Sequence, residues 1–514
     1  MVEGVQGAEV DNRAAASLSS SRKLAFGAMA SGAVNFVRVG LQLLLVPIMA
    51  RLLGPEEFGV YALALSTISI VSLLADGGLG ATLAREPETS TLVWSSAFWL
   101  LLVSGIVLAA GASAFGLLLA HLVDQPRIAS MIAWLSLSLI FLVLSVIPGA
   151  RLSRRKHLGL GALADLLAAV IGAVVAVALA ANGAGAWSLV AQYLATYAAR
   201  AIVLNLSAFE LPRFMFSMIS IRSHMASGGL LIGLRFSDYL GRIGENVLVT
   251  RFFGGALLGS FTFANQVSRF STESVSNVTW STIYVQALTS DRAAVVDLHR
   301  RLCRMLAGIL LPATFLAAAA APELIRDLLG PKWTGLSLML EILLPISALS
   351  VIGMQVGPIL LAIDRFNIFF WCAVGLAVGR IVAICLGWWT GVTGMVVGIG
   401  GVALLHVVTL VVLAASAIGF SIVSMLRGLI GPAVSSLVAA AVCRLILDLV
   451  SPGLWPTLLA LIGGLAVFVI CMIVLDRKGL EQDWDVIRRL VAGPRLAGGS
   501  TSVITPARPS DNEV

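Results

Sequence analysis

The chain has 514 residues, of which 59% are hydrophobic and only 12% charged, with a formal charge of +7. So apolar a composition excludes a soluble enzyme, and recurring apolar runs of about twenty residues place the chain among polytopic α-helical membrane proteins. The alternating apolar-out, polar-in segments of a membrane β-barrel are absent, and the surplus of positive charge belongs to membrane topology, not to nucleic acid.

Residues 1–23 are polar and lack the short apolar core of a signal peptide, so the first apolar run reads as an uncleaved span behind a cytoplasmic segment. Fourteen spans follow, at about 24–50, 58–83, 92–120, 129–150, 158–181, 185–206, 225–252, 256–284, 303–322, 336–362, 366–388, 392–418, 427–449 and 455–475. Short turns such as Asn182-Gly183 and Ser451-Pro452-Gly453 punctuate them. The longest connection, 207–224, contains FELPRFMF and reads as an amphipathic linker lying on the membrane. The tail, 476–514, spaces Leu480, Trp484, Ile487 and Val491 as an interfacial helix would before a polar end.

Lysine and arginine set the orientation. With the N-terminus inside, 23 of the 34 lie on cytoplasmic segments and adjoining span ends. Only Arg51, Arg127, Arg251, Arg326 and Lys332 lie on the other side, and six lie within spans. Both termini are therefore expected in the cytoplasm. No loop exceeds about twenty residues, which leaves no room for a soluble catalytic domain.

An internal repeat organises the spans. Arg51-Leu-Leu-Gly54, with Gly59 and Tyr61 beyond it, matches Arg251-Phe-Phe-Gly254, with Gly259 and Phe261, at an offset of 200 residues. The same offset sets Asn35, Arg38 and Gln42 opposite Arg235, Asp238 and Arg242. The pattern implies an all-α protein of two pseudo-symmetric six-helix lobes, 24–206 and 225–418, followed by two further helices within 427–475. A chance match of helix ends in an apolar chain is the competing explanation.

The seventh span is the most telling stretch. It is greasy enough to cross a bilayer, yet Arg235, Asp238, Arg242 and Glu245 fall within an arc of about 80° on one face. Each such charge costs roughly 3 kcal/mol at mid-membrane, so the stripe must face protein or a water-filled cavity. The eighth span adds Asn265, Gln266, Arg269, Glu273, Ser276 and Asn277. Arginine in a confined space is a strong anion site, and its planar fork suits phosphate oxygens. Arg38, Arg235, Arg242 and Arg269, with Asn35 and Gln42, are therefore candidates to meet a phosphate-bearing substrate. Internal pairing is the other reading: Arg235–Asp238, Asp238–Arg242 and Arg269–Glu273 are spaced to neutralise one another, whereas Arg38 has no acid on its own span.

Asp238, Glu245 and Glu273 are the candidates for coupling transport to H+ or Na+, Glu245 foremost, although Arg242 is spaced to pair with it. Asp76, before Gly77-Gly78, reads as a helix-end residue, and Arg444–Asp448 as an i,i+4 pair. Arg380 stands alone on the eleventh span, and His406 is a lone histidine in an apolar run. Pro47, Pro312, Pro345 and Pro358 are placed to bend spans. The five cysteines show no ligand spacing, and no P-loop, H-E-x-x-H or nucleophile elbow is present. No cofactor or metal is expected. Asp483-Trp484-Asp485 sits in the tail with no nucleotide-binding fold around it.

The stretch Arg51–Glu86, RLLGPEEFGVYALALSTISIVSLLADGGLGATLARE, resembles the bacterial polysaccharide transporters, the Wzx-type oligosaccharide flippases of the multidrug/oligosaccharidyl-lipid/polysaccharide superfamily. The resemblance implies transfer of undecaprenyl-diphosphate-linked oligosaccharide across the inner membrane for exopolysaccharide synthesis. It also implies two lobes around a cationic cavity, alternating access driven by an ion gradient, and a setting shared with polysaccharide polymerase and export proteins. By motif position, Arg38 and the seventh-span arginines become the cavity cations. The near balance of charge on the seventh and eighth spans departs from a uniformly cationic cavity. A drug or metabolite exporter of the same superfamily is the alternative reading, and a polytopic polymerase or ligase, which needs a long outer loop with catalytic Arg, His or Asp, is a further one.

Overall fold

A segment inside lipid must satisfy its own backbone hydrogen bonds, so apolar runs of this length become helices. The computed structural model describes residues 32, 34–38, 40–42, 44–83, 91–155, 157–208, 210–333, 335–477 and 479, with the side chains at 81, 158, 226–240, 270–278, 281 and 366 outside that description. Among the described residues the architecture is entirely helical. The first half comprises α1 (Val34–Leu53), α2 (Pro55–Asp76), the short α3 (Leu79–Leu83), α4 (Thr91–Leu122), α5 (Arg127–Arg154), α6 (Leu158–Ala181) and α7 (Trp187–Ala208). The second comprises α8 (Met218–Phe253), α9 (Gly255–Thr289), α10 (Arg292–Ala319), the single turn α11 (Ala321–Leu324), α12 (Leu336–Met354), α13 (Gly357–Ala362) and α14 (Phe366–Ile418). Two more, α15 (Ile422–Leu449) and α16 (Leu454–Leu475), complete the chain's described part.

Eleven of these helices are long and apolar enough to cross a membrane. The more polar α8 and α9, of 36 and 35 residues, are not among the eleven. The 53-residue α14 is two helices joined at Gly391, whose φ of 79° and ψ of −177° interrupt the spiral where the sequence divides the eleventh span from the twelfth. Such a φ is open to glycine at little cost.

Polar side chains inside the bundle are satisfied locally. Ser66 donates to the Leu63 carbonyl at 2.8 Å and Thr314 to that of Leu310 at 2.7 Å, which removes the cost of carrying a hydroxyl into an apolar medium. Small residues let neighbouring helices approach: a Cβ on Gly105 of α4 would lie 2.9 Å from Val143 of α5, and one on Gly116 would lie 3.0 Å from Ile132. In the first half α4 and α7 both pack on α5, and α6 lies along α7. In the second half α10 packs on α12 and α15, while α16 lies against α15.

The duplicated motif has duplicated geometry. Gly54 (φ 82°, ψ 171°) precedes α2, and Gly254 (φ 86°, ψ 170°) precedes α9. These two helices cross at the second glycine of each motif. A Cβ on Gly59 would lie 2.9 Å from the Gly259 nitrogen and overlap the Gly255 carbonyl; one on Gly259 would lie 2.9 Å from the Gly59 nitrogen and overlap the Pro55 carbonyl. The contact is reciprocal, as a two-fold relation between the repeats requires.

Several boundaries move from their expected places. The linker is shorter than 207–224, because Met218 already opens α8. The segment before it is strapped to α4: the Arg213 and Ser217 amides donate to the Ser95 and Ser96 hydroxyls at 3.1 and 2.9 Å, and Phe214 stacks on Trp99 at 5.1 Å. Outward it presents Leu211 and Phe214, each more than four-fifths exposed, as is Ile219 in the first turn of α8. The basic stretch ahead of the ninth span is helical from Arg292, where Asp297 pairs with Arg300 at 2.7 Å and Arg301 at 2.6 Å, the spacing that stabilises an exposed helix. Pro358 sits in the first turn of α13, where a missing N–H costs nothing, directly after the break at Gln355–Val356 that divides the tenth span into α12 and α13. Pro312 and Pro345 lie inside α10 and α12 as expected.

Candidate substrate cavity

The polar face of α1 carries Asn35, Arg38 and Gln42 at helical spacing, and it looks toward α6 and α7 of the same half. There α7 presents Gln192, Tyr193, Thr196, Tyr197 and Arg200 in two adjacent rows, and α6 presents Asp165. Between these helices and α2 lie two adjoining cavities of about 400 and about 730 Å³. Asp165, Tyr197 and Arg200 line both. The smaller adds Arg38, Gln42, Tyr61 and Tyr193; the larger adds Asn35, Asp76 and His157 and reaches toward the basic-loop end of the bundle.

Asp165 is the electrostatic centre. Arg200 Nε donates to its Oδ1 at 2.7 Å, and Arg38 Nη1 lies 4.0 Å from its Oδ2. Arg38 Nη2 donates to Asn35 Oδ1 at 2.8 Å, while its Nε is buried without a hydrogen-bond partner among the described residues. The three charged side chains are each about one-third exposed, so water reaches them. The Tyr193 hydroxyl donates to that of Tyr197 at 3.3 Å, and their rings sit 4.7 Å apart. The cavity thus has an ionic side, Asn35, Arg38, Asp165 and Arg200, and an aromatic-amide side, Tyr61, Gln42, Gln192, Tyr193 and Tyr197.

Of the residues singled out from sequence, Asn35, Arg38 and Gln42 line these cavities. Arg242 and Arg269 line neither; both are half-buried in the second half and engaged in contacts there. The side chains of Arg235, Asp238 and Glu273 fall outside the described residues. Glu245 is buried, and a cation from another span reaches it: Arg380 Nε of α14 lies 2.9 Å from Glu245 Oε1. Arg380, solitary on its own span, is thereby accounted for. The first span's cation faces an acid of the fifth, whereas the seventh span's acid faces a cation of the eleventh. Arg444 pairs with Asp448 at 2.9 Å and also with Glu323 at 3.0 Å, tying α15 to α11. His406 donates from Nδ1 to the Cys372 carbonyl, 3.0 Å away, a packing role.

Sequence reasoning passed over Asp165 and placed Arg200 among the cytoplasmic span ends. Their signals were present: an acid eight residues into an apolar span, and an arginine that continues the polar face of Gln192, Thr196 and Tyr197.

At the end of the bundle opposite the basic loops, the two halves are closed on each other. Trp333, fully buried, donates its indole N–H to the Ala50 carbonyl at 2.9 Å and packs its ring 5.5 Å from Phe58 and 5.0 Å from Phe263. Glu57 pairs with Arg127 at 3.3 Å and accepts the Ala186 amide. Together with the Gly59–Gly259 crossing, these contacts seal that end while the larger cavity lies toward the other.

Comparison with known proteins agrees with this architecture. The succinoglycan biosynthesis transport protein ExoT of Rhizobium meliloti (strain 1021) is 25% identical over 465 residues, covering 87% of this chain and 92% of the relative. The lipopolysaccharide biosynthesis protein WzxC of Escherichia coli (strain K12) is 21% identical over 357 residues, covering 69% of this chain and 73% of that one. Among solved structures, the lipid II flippase MurJ in its inward closed conformation shares the fold, with a TM-score of 0.70 at 14% identity over 88% of this chain and 99% of its own. The family model described as polysaccharide biosynthesis protein matches residues 48–338, more than half of the sequence. The chain is a multi-pass membrane protein that belongs to the polysaccharide biosynthesis protein family and has the helical fold of the flippase MurJ.

Proposed function

We propose that the protein is a flippase that carries lipid-linked oligosaccharide, with an undecaprenyl-diphosphate anchor, across the bacterial inner membrane for polysaccharide synthesis. The observation that carries the reading is the pair of guanidiniums, Arg38 and Arg200, facing one water-reached cavity inside a membrane bundle. A diphosphate diester bears two negative charges, one per phosphate. Two arginines match them, and each fork offers paired N–H donors to phosphate oxygens. Away from bulk water such contacts are worth more than at a surface. The aromatic-amide side of the cavity suits the first sugar, whose hydroxyls Gln42 and Gln192 can bond. The role is that of a transporter and not an enzyme, in keeping with the transport protein and the flippase among its relatives.

On this reading the chain crosses the membrane fourteen times, as two six-helix lobes and two further helices, with both termini in the cytoplasm. The cavity loads from the cytoplasmic side while the Trp333–Phe58–Phe263 end stays shut, and the lobes then rock to expose it outward. Arg235, Arg242 and Arg269 form the cationic wall of the second lobe. The Glu245–Arg380 pair is the site through which H+ or Na+ drives the cycle, since a buried carboxylate that gains a small cation must loosen its hold on arginine. Asp238 and Glu273 are secondary coupling candidates. Residues 210–219 lie in the cytoplasmic membrane interface. Polysaccharide polymerase and export proteins act on the cargo next.

The test is transfer of a lipid-linked oligosaccharide across proteoliposomes, alongside surface polysaccharide in cells. Arg38→Ala should abolish both while the protein reaches the membrane, and Arg38→Lys should restore them only in part. Undiminished transfer by the Ala variant would remove the diphosphate from this site and favour the drug or metabolite exporter.

A further inference from the structure

The acid at the centre of the cavity is unexplained by cargo binding, because a carboxylate beside a diphosphate repels it. We propose that Asp165 is a resident counter-anion: it occupies the Arg38–Arg200 site between cargoes, and the cargo's diphosphate displaces it. The inference rests on the diphosphate reading of this cavity.

Asp165 engages both arginines at once, Arg200 at 2.7 Å and Arg38 at 4.0 Å, with one carboxylate oxygen toward each. That is the arrangement a bridging phosphate oxygen pair would take. Among the described residues, Arg200 has no polar partner other than Asp165. Once Asp165 withdraws, every donor of Arg200 is free for the cargo. Arg38 keeps a buried Nε with no acceptor, so the resting site holds a donor that the carboxylate does not satisfy. Exposure marks this pair as one built to open. Asp165 is 33% exposed and lines both cavities, so it can turn from the arginines into water-reached space. The Glu245–Arg380 pair is less exposed, at 10% and 24%.

The arrangement serves turnover. Two bare guanidiniums in a low-dielectric cavity would hold a diphosphate too tightly to release it. Binding that must displace a local carboxylate is weaker by the energy of that contact, and release is faster because the carboxylate closes behind the leaving cargo.

The experiment uses the full chain in nanodiscs with undecaprenyl diphosphate as the probe, and proteoliposomes for transfer. Asp165→Asn should bind the probe about tenfold more tightly or better, and should lower both KM and maximal rate of transfer. Asp165→Glu should restore both toward the wild-type values. Asp165→Ser provides a second uncharged variant. If the uncharged variants bind the probe no better than wild type, or more weakly, Asp165 merely positions Arg200 and the proposal falls. If neither uncharged variant reaches the membrane, the pair is a structural brace and the proposal falls as well. Arg38→Ala and Arg200→Ala separate this from the broader reading. If they weaken probe binding and Asp165→Asn does not tighten it, only the counter-anion idea is lost; if they leave binding untouched, the diphosphate site itself is lost.

Discussion

Replacing Gly59 by alanine perturbs the crossing of α2 and α9 by a single methyl group. That methyl would sit 2.9 Å from the Gly259 nitrogen and would overlap the Gly255 carbonyl oxygen. Ordinary carbon–oxygen contact is about 3.3 Å or more, so the helices must part by about 1.5 Å. Both obstructing atoms are backbone, so no side chain can swing aside to absorb the clash. Overpacking of this kind costs about 1–3 kcal/mol, which shifts an equilibrium between two conformations by about 5- to 150-fold. The penalty applies only where the halves are closed at this end, and the closed form should lose population to the open one. Spin labels on the exposed Asn182 and Thr390, measured by double electron–electron resonance, report the distance between the halves there. The variant should show a longer distance and slower transfer, because the return to the closed form becomes uphill. By the reciprocity of the contact, Gly259→Ala should act alike, and the double variant should add less than the sum of the two. An unchanged distance distribution in both single variants would refute the idea that this crossing is the closed seal.

Removing one member of the buried Glu245–Arg380 pair should cost about 3–5 kcal/mol through the uncompensated partner, lowering the melting temperature in detergent, whereas the double change Glu245→Leu with Arg380→Met should recover most of it. Glu245→Gln should, in addition, blunt the response of transfer to an imposed H+ or Na+ gradient; an unchanged response would dismiss this site as the coupling point. Trp333→Phe deletes the indole donor to Ala50, whose carbonyl still accepts the Gly54 amide, and trims a fully buried side chain, so the melting temperature should fall by an amount matching about 1–3 kcal/mol, from the lost hydrogen bond and the cavity left behind. Phe214→Ser, in the segment strapped to α4, should leave the fold intact yet weaken quenching of nearby Trp99 by brominated lipid, if residues 210–219 lie in the membrane interface.

Most of the fold is legible in the sequence, because lipid leaves the backbone few choices: twenty apolar residues become a helix, and Gly or Asn between runs becomes a turn. The repeat was legible for a similar reason. Gly54 and Gly254 need the same rare dihedrals, and Gly59 and Gly259 need the same missing Cβ, so both demands are written as glycine at matching places. The site was only half legible. Arg38 stood out since a cation without an acid on its own span must find a use elsewhere. Its partners did not, because Asp165 and Arg200 lie 127 and 162 positions further along the chain. Spacing rules within one helix say nothing about which face of α6 meets α1. The same limit explains Glu245: local spacing offers Arg242, and only packing brings Arg380 beside it.

The sequence alone thus determined what each segment can be: membrane helix, turn, polar face, repeat and family. Those properties follow from composition and from neighbours within a turn or two of helix, where solvent and backbone geometry leave one good answer. Tertiary structure alone decided which charges meet. It set Asp165 between Arg38 and Arg200, paired Glu245 with Arg380, and brought Trp333 between Phe58 and Phe263. Such meetings depend on the rotation and depth of each helix against the others, which arise from the packing of small and large side chains summed over the whole bundle.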